Sequence, residues 1–201
     1  MNLSDILVLE AVRAPLRATS KKALFRRLAE LAASVHGLEA EPVYRALLRR
    51  EKLGSTGVGR GVAIPHARLA ELDHVTGLFV RLAEPVAFGA IDRRPVDLVF
   101  TLLGPDAAAT HLKALARIAR TLRNEAVRRK LRSTFEPEAL HAILTERELE
   151  RPTAPLSVIR FETDDSRRPA TRPSGVHGVP ELEPAGGLRP RALRAQAARI
   201  R

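Results

Sequence analysis

The 201-residue chain has no cysteine and no tryptophan, one tyrosine and one methionine, and aromatic residues make up only 3% of it. The lack of cysteine excludes a disulfide scaffold, a thiolate zinc site, an iron–sulfur cluster and a cysteine nucleophile. So few aromatic rings leave little with which to stack bases, which argues against a nucleic-acid partner. No apolar run approaches the ~18 residues of a membrane-spanning helix. Residues 1–15 carry Asp5 and Glu10 and lack a basic start followed by an apolar block, so they do not read as a secretory signal. The expectation is a cytoplasmic protein with no membrane insertion.

What is present suits a globular core: 45% of residues are hydrophobic. Lys and Arg number 34 against 23 Asp and Glu, a net charge of +11. That balance permits an anionic partner but does not specify one, because Arg and Ala run high along the whole chain. The text changes character near residue 150. Seven of the 14 prolines fall in the last 51 residues, where ten arginines face five acids and apolar residues are scattered. Such a segment cannot easily offset its ordering entropy. Two parts are therefore predicted: a folded domain over 1–150 and a basic, Pro/Arg-rich, disordered tail over 151–201.

Within the first part, Thr19 or Ser20 caps a predicted helix with the stripe Leu24, Leu28, Leu31 and Val35, ending at Gly37. Pro42 suits the first turn of a second helix carrying Val43, Leu47 and Leu48 and stopping at Gly54. A Gly-rich loop and a short apolar segment, VAIP, follow. His74 to Phe88 reads as a strand and turn. Residues 95–103, PVDLVFTLL, read as a strand buried on both faces. Past Gly104-Pro105 a helix presents Leu112, Leu115, Ile118 and Leu122. Two shorter helices carry Val127 and Leu131, then Leu140, Ile143 and Leu144. Helices on either side of central strands predict an α/β sandwich.

The most informative stretch is residues 50–68, REKLGSTGVGRGVAIPHAR. Glycines alternate at 57, 59 and 61. A P-loop would need Gly-Lys-Ser/Thr, and here Gly59-Arg60-Gly61-Val62 stands instead. The dinucleotide fingerprint would need GxGxxG opening a helix, and here GxGxG leads into VAIP. Neither nucleotide motif is met. His66 follows Pro65, which stiffens the backbone on both sides, and imidazole is the side chain suited to covalent catalysis near neutral pH.

This segment resembles the active-site segment of the phosphotransferase-system (PTS) IIA domains of the fructose/mannitol type, also called EIIA type 2. Within that family it is most similar to the nitrogen-regulatory IIA subgroup. ATSKKALFRRLAELAA, FGAIDRRPVDLVFTLLGP and THLKALARIARTLRNEAVRRKLR also resemble family segments, in family order, so the likeness covers about residues 1–148. It implies the family's three-layer-like sandwich, a central mixed β-sheet flanked by helices.

The resemblance also implies roles. His66 would accept a phosphoryl group from phospho-HPr, a phosphohistidine donor protein. His111, at the start of a later helix, would help hold the phosphate, and Arg50 would offset its charge. The glycines would leave room for the donor's histidine. The resulting phosphocarrier would regulate target proteins by its phosphorylation state; the chain would be an enzyme only in the limited sense of a phosphohistidine intermediate. No cofactor or metal is implied. A sugar-specific IIA component passing phosphate to a IIB domain is the alternative, and a nucleic-acid or anionic-surface binder using the tail is a rival of another class. The family commonly has Gly after the histidine, where this chain has Ala67.

The other candidates carry weaker signals. His36 precedes Gly37 and reads as a helix C-terminal residue with a favourable dipole contact. His74 and His141 read as structural or exposed, and His177 lies in the tail. Ser55 and Thr56 lack a hydrolase GxSxG elbow. The pairs Arg26-Arg27, Arg49-Arg50, Arg93-Arg94 and Arg128-Arg129 read as solvated faces, Arg50 excepted.

Overall fold

Ser20 accepts a hydrogen bond from the backbone N–H of Ala23, which starts α1 (Lys21–His36), and Gly37 closes the helix in the left-handed conformation at φ 66°. In the computed structural model, which describes residues 2–105 and 108–146, this helix buries Leu24, Leu28 and Leu31 as the stripe predicts, together with Phe25, Ala29 and Ala32. Helix α2 (Ala40–Lys52) begins two residues before Pro42 and buries Val43, Tyr44, Ala46 and Leu47. The tail predicted over 151–201 lies outside the described residues.

Six strands form one mixed sheet in the order β1-β5-β6-β3-β2, with β4 also paired to β6. They are β1 (Val12–Leu16), β2 (Gly57–Gly59), β3 (Val62–Ala63), β4 (His66–Arg68), β5 (Thr76–Val86) and β6 (Val96–Gly104). Strand β6 is the spine. It runs antiparallel to β5 and parallel to β3 and β4. All but one of its residues are buried, as a strand covered on both faces requires. Helices α1 and α2 pack on each other and against β5 and β4. Helices α3 (Ala108–Arg123), α4 (Glu125–Ser133) and α5 (Pro137–Thr145) form a second group over β6 and β1. The predicted α/β sandwich with helices flanking a mixed sheet is therefore the observed fold.

Three local expectations need correction. The Gly-rich stretch is not an open loop: β2 and β3 pair as a hairpin, with Arg60 (φ 58°) and Gly61 (φ 76°) both left-handed at its tip. That geometry suits the twist of a two-residue hairpin turn. Two of its glycines are required by packing within this chain. A Cβ on Gly57 would lie 2.8 Å from Ala90 Cβ, and one on Gly61 would lie 2.4 Å from Arg132 Nη2. Second, Leu112 is 62% exposed, and its neighbour His111 is turned inward instead, along with Ala114, Ile118 and Leu122. Third, Arg128 is not a solvated charge. It is 5% exposed, and its Nη1 donates to the carbonyls of Leu122 at 2.8 Å and Arg123 at 2.5 Å, capping the C-terminal end of α3.

Strands β3 and β4 lie on the same edge of β6 and are separated only by Ile64-Pro65. Proline has no N–H to give the ladder, so the strand breaks there. The break is tightly held: Ile64 N–H donates to Thr56 O, and Leu102 N–H donates to Pro65 O, both at 2.9 Å.

Candidate functional site

His66 is the first residue after that break. Its Nδ1 lies 2.9 Å from the carbonyl oxygen of Ile64, two residues back. A carbonyl only accepts, so Nδ1 carries the proton. The Arg50 Nε–H, which only donates, meets the other ring nitrogen, Nε2, at 2.8 Å. Two independent partners thus fix one tautomer, with the Nε2 lone pair directed at Arg50. Burial lowers the pKa of His66, the bond to Ile64 partly offsets this, and the nearby Arg50 charge lowers it further. The ring is neutral near pH 7.

Arg50 comes from the last turn of α2, where it also donates from Nη1 to Gly54 O at 3.1 Å. His111 comes from the first turns of α3. Its ring centroid is 5.9 Å from that of His66, with the rings inclined at 56°. It is 3% exposed, yet neither ring nitrogen has a hydrogen-bond partner among the described residues. Buried polar atoms are normally satisfied, so this pair of open valences is unusual. Desolvation, then the neighbouring His66 and Arg68, push the pKa of His111 down to about 4. The structure therefore brings together all three sequence candidates, His66, His111 and Arg50, from three separate elements. Gly104 keeps the space: a Cβ there would stand 3.3 Å from His111 Nδ1.

One organising residue was not singled out from the sequence. Glu51 Oε2 accepts from the backbone N–H of Thr56 at 2.9 Å and from its hydroxyl at 2.6 Å, while Oε1 pairs with Lys21 Nζ at 2.8 Å. Adjacent residues thus divide the work, Arg50 reaching the histidine and Glu51 tying down residues 54–56. The signal available was an acid three residues ahead of a Gly-Ser-Thr turn, whose free N–H groups need an acceptor. Ala67, the departure from the family pattern, sits on β4 opposite Leu103 and is 4% exposed. Its strand backbone requires no glycine.

The remaining histidines lie elsewhere. His36 ends α1 and shares a hydrogen bond with the Thr76 hydroxyl. His74 is exposed beside Asp73, and His141 Nε2 donates to Leu7 O at 2.8 Å. Among the described residues no three His, Asp or Glu side chains converge in a metal-ligating cluster, and no helix is long and apolar enough to cross a membrane.

A neutral, tautomer-fixed imidazole beside a guanidinium, with a second imidazole that has no hydrogen-bond partner among the described residues, has the chemistry to take up a phosphoryl group. Comparison with known proteins agrees with that class. Residues 5–147 match the family model described as phosphoenolpyruvate-dependent sugar phosphotransferase system, EIIA 2, and the chain belongs to this family. It is 47% identical over 145 residues to a nitrogen regulatory protein of Bradyrhizobium diazoefficiens, covering 72% of this chain and 95% of that one. It is 43% identical over 150 residues to a nitrogen regulatory protein of Escherichia coli K12, covering 74% and 92%. The crystal structure of nitrogen regulatory protein IIA-Ntr from Neisseria meningitidis superposes with a TM-score of 0.68 at 40% identity, over 71% of this chain and 99% of that one. The chain is thus a IIA-type component of the phosphotransferase system.

Proposed function

We propose that this protein is a phosphocarrier of the nitrogen-regulatory branch, acting in the cytoplasm, and that it accepts a phosphoryl group from phospho-HPr on Nε2 of His66. Residues 1–150 would be the IIA domain and 151–201 an appended segment. The observation that carries the reading is the doubly fixed tautomer of His66. Nε2 attacks phosphorus while the donor's P–N bond breaks, and the donor's nitrogen keeps the electron pair. The proton stays on Nδ1, donated to Ile64 O throughout, so no base is needed. Arg50 then swings its donors from the ring nitrogen to the phosphoryl oxygens, where charge is spread. His111, with two unused nitrogens, supplies a further contact. The phosphorylated form presents a dianion where the resting form presents a guanidinium–imidazole pair, and a target protein that binds only one of them reads the phosphate supply.

The test is incubation with phosphoenolpyruvate, enzyme I and HPr, followed by intact mass measurement. The expected result is a gain of one acid-labile phosphoryl group that His66→Gln abolishes. A folded wild-type protein that gains nothing would overturn the reading. The sugar-transport alternative draws on the 33% identity to a fructose-specific EIIA component of Haloferax volcanii. Rapid passage of the phosphate to a purified IIB domain would favour it.

A further inference from the structure

The far end of α3 carries a second concentration of positive charge. From His111 to Arg123 the helix rises about 18 Å, so this region is separate from the histidine site. Here the tip of the β2–β3 hairpin faces the corner between α3 and α4. Two adjoining cavities, of about 710 and 420 Å3, share Arg60 and Arg128 in their walls. Arg94, Arg129 and Arg132 complete one, and Arg123 lines the other beside Val58, Val62 and Leu122. Their sizes fit a small-molecule ligand.

Three anchors show that this cluster is built. The Asp92 carboxylate accepts from the backbone N–H of Arg60 at 2.6 Å and of Arg94 at 3.1 Å, tying the backbone at both arginines to one carboxylate. Asp97 holds Arg132 through two bonds of 2.6 and 2.7 Å, and Arg132 in turn donates to Arg60 O. Arg128 is buried on the α3 carbonyls through Nη1 alone, and no carboxylate pairs with it among the described residues. Glu125 is the one acid whose charge acts on it, and it is outweighed by Arg60 and Arg132 nearby; a buried guanidinium with no carboxylate in contact is rare in proteins. The side chains of Arg60, Arg94, Arg123 and Arg129 likewise make no hydrogen bond or ion pair among the described residues. Glu125 is the one acid in the walls. The contrast is the groove beside α2, where Arg45, Arg49 and Arg68 stand among Glu39, Glu41 and Glu71.

We propose that this groove binds a small molecule carrying two or more phosphate groups. Guanidinium forks match phosphate oxygens two at a time, and the uncommitted arginines outnumber those that a single phosphate would occupy. No aromatic ring lines either cavity, so recognition rests on the phosphates rather than on a stacked base.

The test is calorimetric titration of the full chain with inorganic pyrophosphate and tripolyphosphate, each against wild type, His66→Gln and the double variant Arg94→Gln/Arg129→Gln. Both altered arginines are exposed, so the double variant keeps the fold. Saturable one-to-one binding is expected. It should be unchanged in His66→Gln and weakened at least about tenfold in the double variant. Phosphate uptake by the double variant should match wild type. The failure of this proposal is therefore distinguishable from failure at the histidine site. Absence of saturable binding into the low millimolar range, or equal binding by the double variant, overturns the proposal. Tighter binding of a duplex oligonucleotide that the double variant also loses overturns it too, and assigns the groove to nucleic acid.

Discussion

Replacing Arg50 with methionine probes the site most directly. The substitution keeps an unbranched side chain in α2 but removes the donor to His66 Nε2 at 2.8 Å and the donor to Gly54 O at 3.1 Å. Two effects on the rate oppose each other. The resting bond occupies the lone pair that must attack, and losing it frees the nucleophile, an effect of ~1 kcal/mol. In the transition state the guanidinium faces phosphoryl oxygens through charge-assisted bonds, each contributing about 1.5–3 kcal/mol. With two such bonds the second effect wins. The net loss is about 2–5 kcal/mol, on the order of 30- to 5,000-fold in the rate of phosphoryl acceptance. Arg50 is also one of the charges that lower the pKa of His66. Without it that pKa rises, and the acidic limb of the rate profile moves to higher pH. The assay is rapid-quench transfer from phosphorylated HPr across a pH series. A rate within about threefold of wild type, with an unmoved acidic limb, would refute the reasoning and leave Arg50 a support for residues 54–56.

His111→Leu removes two buried nitrogens that have no partner; folding stability should hold or rise by about 1 kcal/mol while phosphoryl acceptance slows, and a drop in both would show that the imidazole is structural. Because His111, His66 and His36 all have folded pKa values below the unfolded 6.5, the unfolded chain binds more protons as pH falls. Their contribution to stability is whole above pH 6.5 and declines toward about 4, the value for His111. Urea midpoints at pH 7.5 and 5 should therefore fall less in His111→Leu than in wild type, and equal falls would place the acid sensitivity elsewhere. Arg128→Leu strips the carbonyls of Leu122 and Arg123 of their donor and should cost about 2–4 kcal/mol in urea unfolding; a loss under about 1 kcal/mol would mean that water replaces the guanidinium.

Local signals carried much of the fold. The Ser20 cap, the Gly37 stop and the continuous run in β6 are decided by neighbours in sequence, and the structure has them where they were expected. Strands β1 and β4 were not legible. Val12–Leu16 contains Pro15, and His66–Arg68 is three residues long. Each is a strand only because a distant partner, β5 or β6, supplies its ladder. The inward turn of His111 was hidden for a similar reason. A helical stripe favours leucine over histidine, and the site beside His66 reverses that order at positions 111 and 112. Spacing alone pointed only to His66; Arg50 and His111 came from the family likeness, and the structure sets both beside it. Arg128 escaped because its partners are the carbonyls of the preceding helix, which carry no side-chain signature.

The broken strand at Ile64-Pro65 has a mechanical consequence. Pro65 O is anchored to Leu102 N–H, and Ile64 O to the His66 ring. The imidazole therefore rides on the spine of the sheet and moves with its small excursions, where a loop-borne ring would wander. Under the proposed function, a donor protein would meet a ring already aimed, and its docking energy would not be consumed in ordering the acceptor. Encounters can then be brief and weak and still productive, which suits a carrier that must bind one protein, let go, and bind another.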